Sequence, residues 1–290
     1  QAGTARHVLC VGMEKMTACD TATVGATLIK ASYVAEEATD GMTFPGVFGR
    51  IAQGYFQKYG DQMDALAMIA AKNHKNGSVN PLAHLQKDFG YDFCRNESEK
   101  NPFVAPPLKR TDCSMVSDGA AAVVISNAEA SAEAEKAVAF RATSHVNDYL
   151  PMSKRDIIAF EGPQKAWAQS LEKAGVTLDD LSFVETHDCF TIAELIEYEA
   201  MGLVGPGDGA RAIKEGWTQK DGKLPINPSG GLKAKGHPVG ATGVSMHVMA
   251  AMQLTDTAGG CQIDGAKMGG VFNMGGAAVA NYVSILESQC

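Results

Sequence analysis

The stretch Asn227-Pro-Ser-Gly-Gly-Leu-Lys-Ala-Lys-Gly-His-Pro-Val-Gly-Ala-Thr-Gly243 decides how this chain is read. It places one histidine, His237, in a glycine-dense loop that runs into the apolar segment 244–254. Five glycines in 17 residues mark backbone that bends sharply or comes close to a ligand, because glycine has no side chain and is entropically costly to order. Pro238 fixes the backbone directly after the imidazole, and a helix opening near Ala241-Thr242 would aim free N–H groups into the loop. Such a loop holds an imidazole rigidly at the rim of a site. The competing reading is a surface loop carrying a stray histidine.

Around this loop, segments 137–143, 164–174, 183–186, 192–201, 244–254, 271–273 and 277–286 alternate strand-like and helix-like patterns. That alternation implies βα units on a sheet covered by helices. Segments 7–11 and 120–126 also read as strands. Residues 28–100, by contrast, have helical spacing through 48–59 and 62–75, with loops at Asn76-Gly77 and Asn80-Pro81. The runs Asp118–Ser126 and Gly275–Ile285 echo one another, each a small-residue turn feeding a β-rich strand.

With 290 residues, 45% hydrophobic and 20% charged, the chain has the composition of a globular protein able to bury a sizeable core. A formal net charge of −8 argues against general nucleic-acid binding. No run approaches the ~20 apolar residues of a membrane span, and no signal-peptide pattern opens the chain. The seven cysteines are scattered without a Cys-x-x-Cys pair, which points away from disulfides and zinc and toward a reducing compartment. The C-terminal Ser-Gln-Cys290 is not a peroxisomal address, so a cytoplasmic location is expected. Lys233, Lys235 and Lys109-Arg110 read as solvated surface charges, each with the option of meeting an anionic ligand.

Four further motifs join the Gly236-His237-Pro238 loop. His187-Asp188-Cys189-Phe190 stands 50 residues before His237, and Gly269-Gly-Val-Phe-Asn-Met-Gly-Gly-Ala-Ala278 follows it. Cys113-Ser-Met-Val-Ser-Asp-Gly-Ala-Ala-Ala122 and Val11-Gly-Met-Glu-Lys-Met-Thr17 lie upstream. Together they resemble the thiolase family, in particular its sterol-carrier-protein-2 type, over essentially the whole chain.

The resemblance implies an α/β, thiolase-like layered αβαβα fold of two similar halves, the first truncated and carrying a helical loop-domain insertion. The expected division is 1–27 (remnant of the N-terminal half), 28–110 (helical insertion), 111–129 (last strand of the N-terminal half) and 130–290 (C-terminal half). Because the chain opens on Gln1 and the first half has two strands of its own, ~90 residues are expected upstream.

Thiolases exchange acyl groups between thiols, making or breaking a carbon–carbon bond beside a coenzyme A thioester. The resemblance gives His237 the activation of the nucleophile and Cys189 the second acid/base role. Gly275 would supply an oxyanion-hole N–H, and His187 would stand where other thiolases orient an oxyanion-hole water through an asparagine. Ser114 and Phe190 would contact substrate. Asn273 occupies the position where most thiolases carry their second cysteine, and the cysteine of His-Asp-Cys-Phe takes over in the sterol-carrier-protein-2 type. Asp188 is read as the cap of the helix that follows it. No third ligand is spaced to make His187-Asp188 a metal site. The nucleophilic cysteine itself is expected upstream of the chain, leaving these residues inactive alone.

Acyl-CoA and coenzyme A are the implied partners, as substrates and not cofactors, with a homodimer or tetramer for the complete protein. Two other readings remain. A ketosynthase relative would be expected to carry Gly-His-Thr instead of Gly-His-Pro. A non-catalytic CoA- or lipid-binding or scaffolding partner of a separate chain would need no cysteine of its own.

Overall fold

Two sheets of unequal size flank the His237 loop in the computed structural model, which describes residues 3–39 and 41–289. Gln1 and Cys290 lie outside the described residues. Chain order is β1 (His7–Glu14), α1 (Thr21–Leu28), α2 (Val34–Glu37), α3 (Phe44–Tyr59), α4 (Met63–Ser78), α5 (Gly90–Arg95), β2 (Phe103–Ala105), β3 (Leu108–Lys109), β4 (Gly119–Ser126), α6 (Ala128–Ser131), β5 (Val138–Asn147), α7 (Glu161–Ala174), β6 (Phe183–Glu185), α8 (Thr191–Ala200), α9 (Gly209–Lys214), α10 (Gly231–Ala234), α11 (Thr242–Leu254), β7 (Met268–Gly275) and β8 (Ala280–Ser288).

The larger sheet has the order β5-β8-β7-β6, with β6 parallel to β7 and the other pairs antiparallel. Its glycines are explained by what lies over them. A Cβ at Gly269 would come within 2.3 Å of the Phe183 ring, and one at Gly270 within 2.7 Å of Trp167. Both rings are fully buried, so strand β7 gives up side chains where bulky neighbours need the room. Helix α7 packs on β5 and β8 and ends at Gly175, whose φ of 67° is the left-handed C-terminal cap that glycine adopts without strain.

The smaller sheet is the antiparallel pair β1–β4, in register Leu9↔Val124 and Val11↔Ala122. β1 runs on to Glu14, past the expected end at residue 11, because Gly12 and Met13 continue the ladder with Ala121 and Ala120. The echoing runs of sequence fall on β4 and β8; β4 pairs antiparallel with β1, and β8 antiparallel with both β5 and β7. Helix α11 packs against β4, β1 and β7 and so joins the two sheets.

The helices α1 to α5 lie between β1 and β2. α3 opens with Thr43 accepting the Gly46 N–H at 3.2 Å and closes at Gly60. Asn76-Gly77 is not the loop expected from sequence but the last turn of α4. Gly77 is there for close approach, since a Cβ on it would sit 2.4 Å from Ala234 Cβ. Among the described residues no helix is long and apolar enough to cross a membrane.

Candidate active site

Three turns converge from the C-terminal half. His187-Asp188-Cys189-Phe190 leaves the end of β6 and leads into α8, the His237 loop lies between α10 and α11, and Asn273-Met274-Gly275 closes β7. The segment before β4 brings Ser114 to the same place, where its N–H donates to the Cys189 carbonyl at 2.9 Å. His237, Cys189, His187, Gly275, Ser114 and Phe190 all line one cavity of about 200 Å³, together with Asn273 and Cys113. Leu28, Ala31, Phe44 and Met274 form its apolar wall. Phe190 stacks on Phe48 with ring centroids 4.4 Å apart, which fixes that wall next to Cys189.

The His237 loop is held tightly. A Cβ at Gly12 of β1 would be 2.7 Å from the Gly240 carbonyl oxygen, and one at Gly240 2.5 Å from that of Met13, so both glycines serve close approach. The His237 N–H donates to Ser117 Oγ at 2.8 Å. Thr242 Oγ1 gives its proton to the Pro238 carbonyl at 3.0 Å and lies 2.7 Å from His237 Nδ1. Since the hydroxyl proton is already committed, Nδ1 is the protonated nitrogen and Nε2 keeps its lone pair. Burial, and then His187 and Lys235, push the His237 imidazole well below its usual pKa, so it rests neutral as a base.

His187 is fixed in the same manner. Its Nδ1 is 2.7 Å from Asn273 Oδ1, an acceptor, so the proton sits on Nδ1 here too. The two imidazoles stand edge to face, with centroids 5.0 Å apart. Burial lowers the His187 pKa to about 4, against the pull of the Asn273 bond. Cys189 is 3% exposed. Burial first, and then the Glu197 and Asp188 carboxylates, hold its thiol well above the usual range. The cavity therefore contains two neutral imidazoles and, at Cys189, a protonated thiol. Cys113, the second thiol on the wall, is likewise pushed up to about 12 by burial. Among the described residues no group of three or more His, Cys, Asp or Glu side chains is placed to hold a metal.

Residues 1–129 match the thiolase N-terminal domain and residues 143–288 match a thiolase C-terminal domain-like description. The chain belongs to the thiolase family. It is 36% identical over 282 residues to an acetyl-CoA acetyltransferase of Methanothermobacter thermautotrophicus, covering 97% of this chain and 72% of that protein. It is 34% identical over 299 residues to sterol carrier protein 2 of Homo sapiens, covering 96% of this chain and 53% of that protein, about half its length. Among solved structures, human mitochondrial 3-ketoacyl-CoA thiolase superposes with a TM-score of 0.69 at 16% identity, covering 99% of this chain and 73% of that one. A structure described as Ltp2-ChsH2(DUF35) aldolase superposes with a TM-score of 0.86 at 20% identity, with the same two coverages. These two likenesses establish the thiolase-like α/β fold.

The structure departs from the sequence-based expectation at Asp188 and at three lysines. Asp188 does not cap α8, which has no side-chain cap. Its carboxylate instead accepts the N–H groups of Leu232 at 2.6 Å and Lys233 at 3.2 Å, at the start of α10. The turn from β6 directs it across to the other loop, into space left by Gly231, where a Cβ would lie 2.3 Å from Asp188 Oδ2. Lys233, Lys235 and Lys109 are buried, not solvated. The reason is local hydrogen bonding and pairing. Lys233 Nζ donates to the Cys113 carbonyl, Lys235 Nζ to Ser245 Oγ at 2.9 Å, and Lys109 lies 3.1 Å from Asp112.

Thr242 and Ser117, which orient His237, went unnoticed in the sequence. Thr242 carried a usable signal, since it sits one helical turn past the His-Pro step where a hydroxyl can reach back. Ser117 carried none.

Proposed function

We propose that this chain is the larger part of an acyl-CoA C-acyltransferase of the thiolase type. It would act in thiolysis of 3-ketoacyl-CoA or in condensation of acetyl-CoA to acetoacetyl-CoA. The observation that carries the reading is the convergence of His237, His187, Cys189 and Gly275 on one cavity, with His237 Nδ1 held 2.7 Å from Thr242 Oγ1 and His187 Nδ1 2.7 Å from Asn273 Oδ1.

In this reading His237 Nε2 takes the proton of a nucleophilic thiol. The resulting imidazolium then helps polarise the thioester oxygen. Cys189 supplies and recovers the proton at carbon or at the coenzyme A sulfur, and a thiol kept protonated by burial suits that task better than nucleophilic attack. His187, with an unprotonated Nε2, accepts from a water whose other proton reaches the oxyanion, and the Gly275 N–H serves the second oxyanion hole. Ser114 and Phe190 line the path of the substrate. Coenzyme A thioesters are substrates, and no cofactor is required.

The nucleophile comes from outside these 290 residues. Among the described residues Cys113 and Cys189 line the cavity, and neither opens a helix of small residues, the setting that the thiolase resemblance gives the nucleophile; Cys10, Cys19, Cys94 and Cys261 do not line it. With its nucleophile the protein would assemble as a dimer or tetramer. A second reading, a non-catalytic coenzyme A- or lipid-binding partner of another chain, draws support from the exposed apolar residues of β1 and β4.

Calorimetric titration of the chain with coenzyme A and acetoacetyl-CoA tests the proposal. Binding is expected, and loss of binding in Ser114→Trp, whose indole would fill the cavity. Failure of the unaltered chain to bind either compound, or undiminished binding by the variant, would overturn it.

A further inference from the structure

Helix α4 carries polar residues on the face it turns toward the two catalytic turns. Lys72 Nζ donates to the Ile226 carbonyl at 2.8 Å, Asn76 Nδ2 to that of Asn227 at 3.0 Å, and Asn80, just past the helix end, to that of Ser229 at 2.8 Å. Residues 72, 76 and 80 recur every four positions, so they follow one stripe along the stretch that leads to His237. Asn73 differs from the others in touching neither backbone. Its Nδ2 donates to Asp188 Oδ2 at 2.8 Å and to Glu194 Oε2 at 2.6 Å, with the side chain fully buried.

Asp188 lies between His187 and Cys189, and its carboxylate also caps the turn that begins the path to His237. Glu194 is tied in turn to Lys72, Asn227 and Tyr198. We propose that Asn73 is a positioning residue: its single amide nitrogen, by joining Asp188 to Glu194, holds the Cys189 turn and the His237 loop in register. The inference rests on the acyltransferase reading of the site and deepens it.

The chemistry explains why an asparagine stands there. Two buried carboxylates close together repel unless donors lie between them. A carboxamide NH₂ offers two N–H bonds and adds no charge. An aspartate would add a third negative group, and an alanine would leave two acceptors each short of a partner. Asn73 Oδ1 has no hydrogen-bond partner, so the side chain bears the cost of an unsatisfied buried acceptor at this position while its donors are used in full.

The test is native-state alkylation of the chain by iodoacetamide, read for each cysteine by peptide mass spectrometry, with and without acetyl-CoA. Cys261, fully buried in a separate cluster with Met249 and Ala258, is the internal reference. Asn73→Ala is expected to speed Cys189 alkylation by about tenfold while leaving Cys261 unchanged, as local opening of one turn requires. Asn73→Ser, with one donor for two acceptors, is expected to fall between Asn73→Ala and the parent, and it carries the test if Asn73→Ala does not fold. An unchanged Cys189 rate in the folded variants, or Cys189 and Cys261 rising together, would overturn the proposal. The acyltransferase reading is tested separately in the same samples: acetyl-CoA should slow Cys189 alkylation in the parent. Absence of that protection would sink the acyltransferase reading and leave the Asn73 clamp standing.

Discussion

The β1–β4 ribbon and the four-stranded sheet are built from similar strands and meet very different surroundings. In the sheet, Phe183, Phe272 and Ile285 are fully buried, while in the ribbon Leu9 and Val124 are each 65% exposed and Met13 is 73% exposed. Side chains of the same chemical kind therefore contribute to stability in one half and little in the other. The contrast extends to the site. Asn273 lies on β7, which has a strand on each side, His187 and Cys189 follow β6, held between β7 and the segment at Ile226, and α4 braces them from behind. The ribbon reaches the site chiefly through the close contact of Gly12 and Met13 with the His237 loop. The proposed acid/base groups are thus supported by the C-terminal half and the helical segment, and the ribbon completes their loop from one side.

The sharpest way to break this comparison is a matched pair of truncations. Phe272→Ala should cost about 3–5 kcal/mol, whereas Leu9→Ala should stay within about 0.5 kcal/mol, both read from urea unfolding midpoints. Comparable losses would mean that the ribbon is covered in solution.

The next effect is electrostatic. His187 has its pKa lowered from 6.5 to about 4 in the fold, so between those values the unfolded chain takes up a proton that the folded chain refuses. Its contribution is neutral above pH 6.5 and increasingly destabilising as pH falls toward 4, by about 1.4 kcal/mol per unit. Asp188, with its pKa raised to about 7 by burial and by Glu194, has the opposite slope over the same window. Comparing the parent with His187→Asn cancels the Asp188 contribution. The stability advantage of the variant should grow by roughly 3 kcal/mol from pH 6.5 to pH 4, and a flat difference would place His187 in water.

A smaller effect is expected at Thr242. Thr242→Val removes the acceptor of the His237 Nδ1 proton and should cost about 1 kcal/mol. It should also shift the imidazole ¹⁵N resonances toward a mixture of tautomers. An unshifted Nδ1–H tautomer would mean that another group fixes the ring.

Much of the C-terminal half was legible in the sequence, since the alternation of strands and helices is a local property. The His237 loop was legible too, because glycine, proline and histidine in that order leave few structural options. What escaped was set by partners distant in sequence. Asp188 looked like a local cap because the helix after it is the nearest one, and nothing in its neighbourhood announces α10, more than forty residues on. Lys233 and Lys235 looked solvated because a lysine in a glycine loop usually is, and burial depends on carbonyl and hydroxyl acceptors that only the fold supplies. Asn76-Gly77 has turn chemistry, yet tertiary contact with Ala234 keeps it helical. Asn73, in a helical pattern already rich in polar residues, gave no signal that it joins two carboxylates.

The proposed acyl transfer uses Cys189 as its acid and His237 as its base. The direct measurement is thiolysis of acetoacetyl-CoA by these residues joined to a segment that supplies the nucleophilic cysteine, comparing the parent with Cys189→Ala and His237→Ala. Turnover by the parent and a loss of about 10²–10⁴-fold in each variant are predicted. Undiminished turnover by Cys189→Ala would contradict the assignment at its centre.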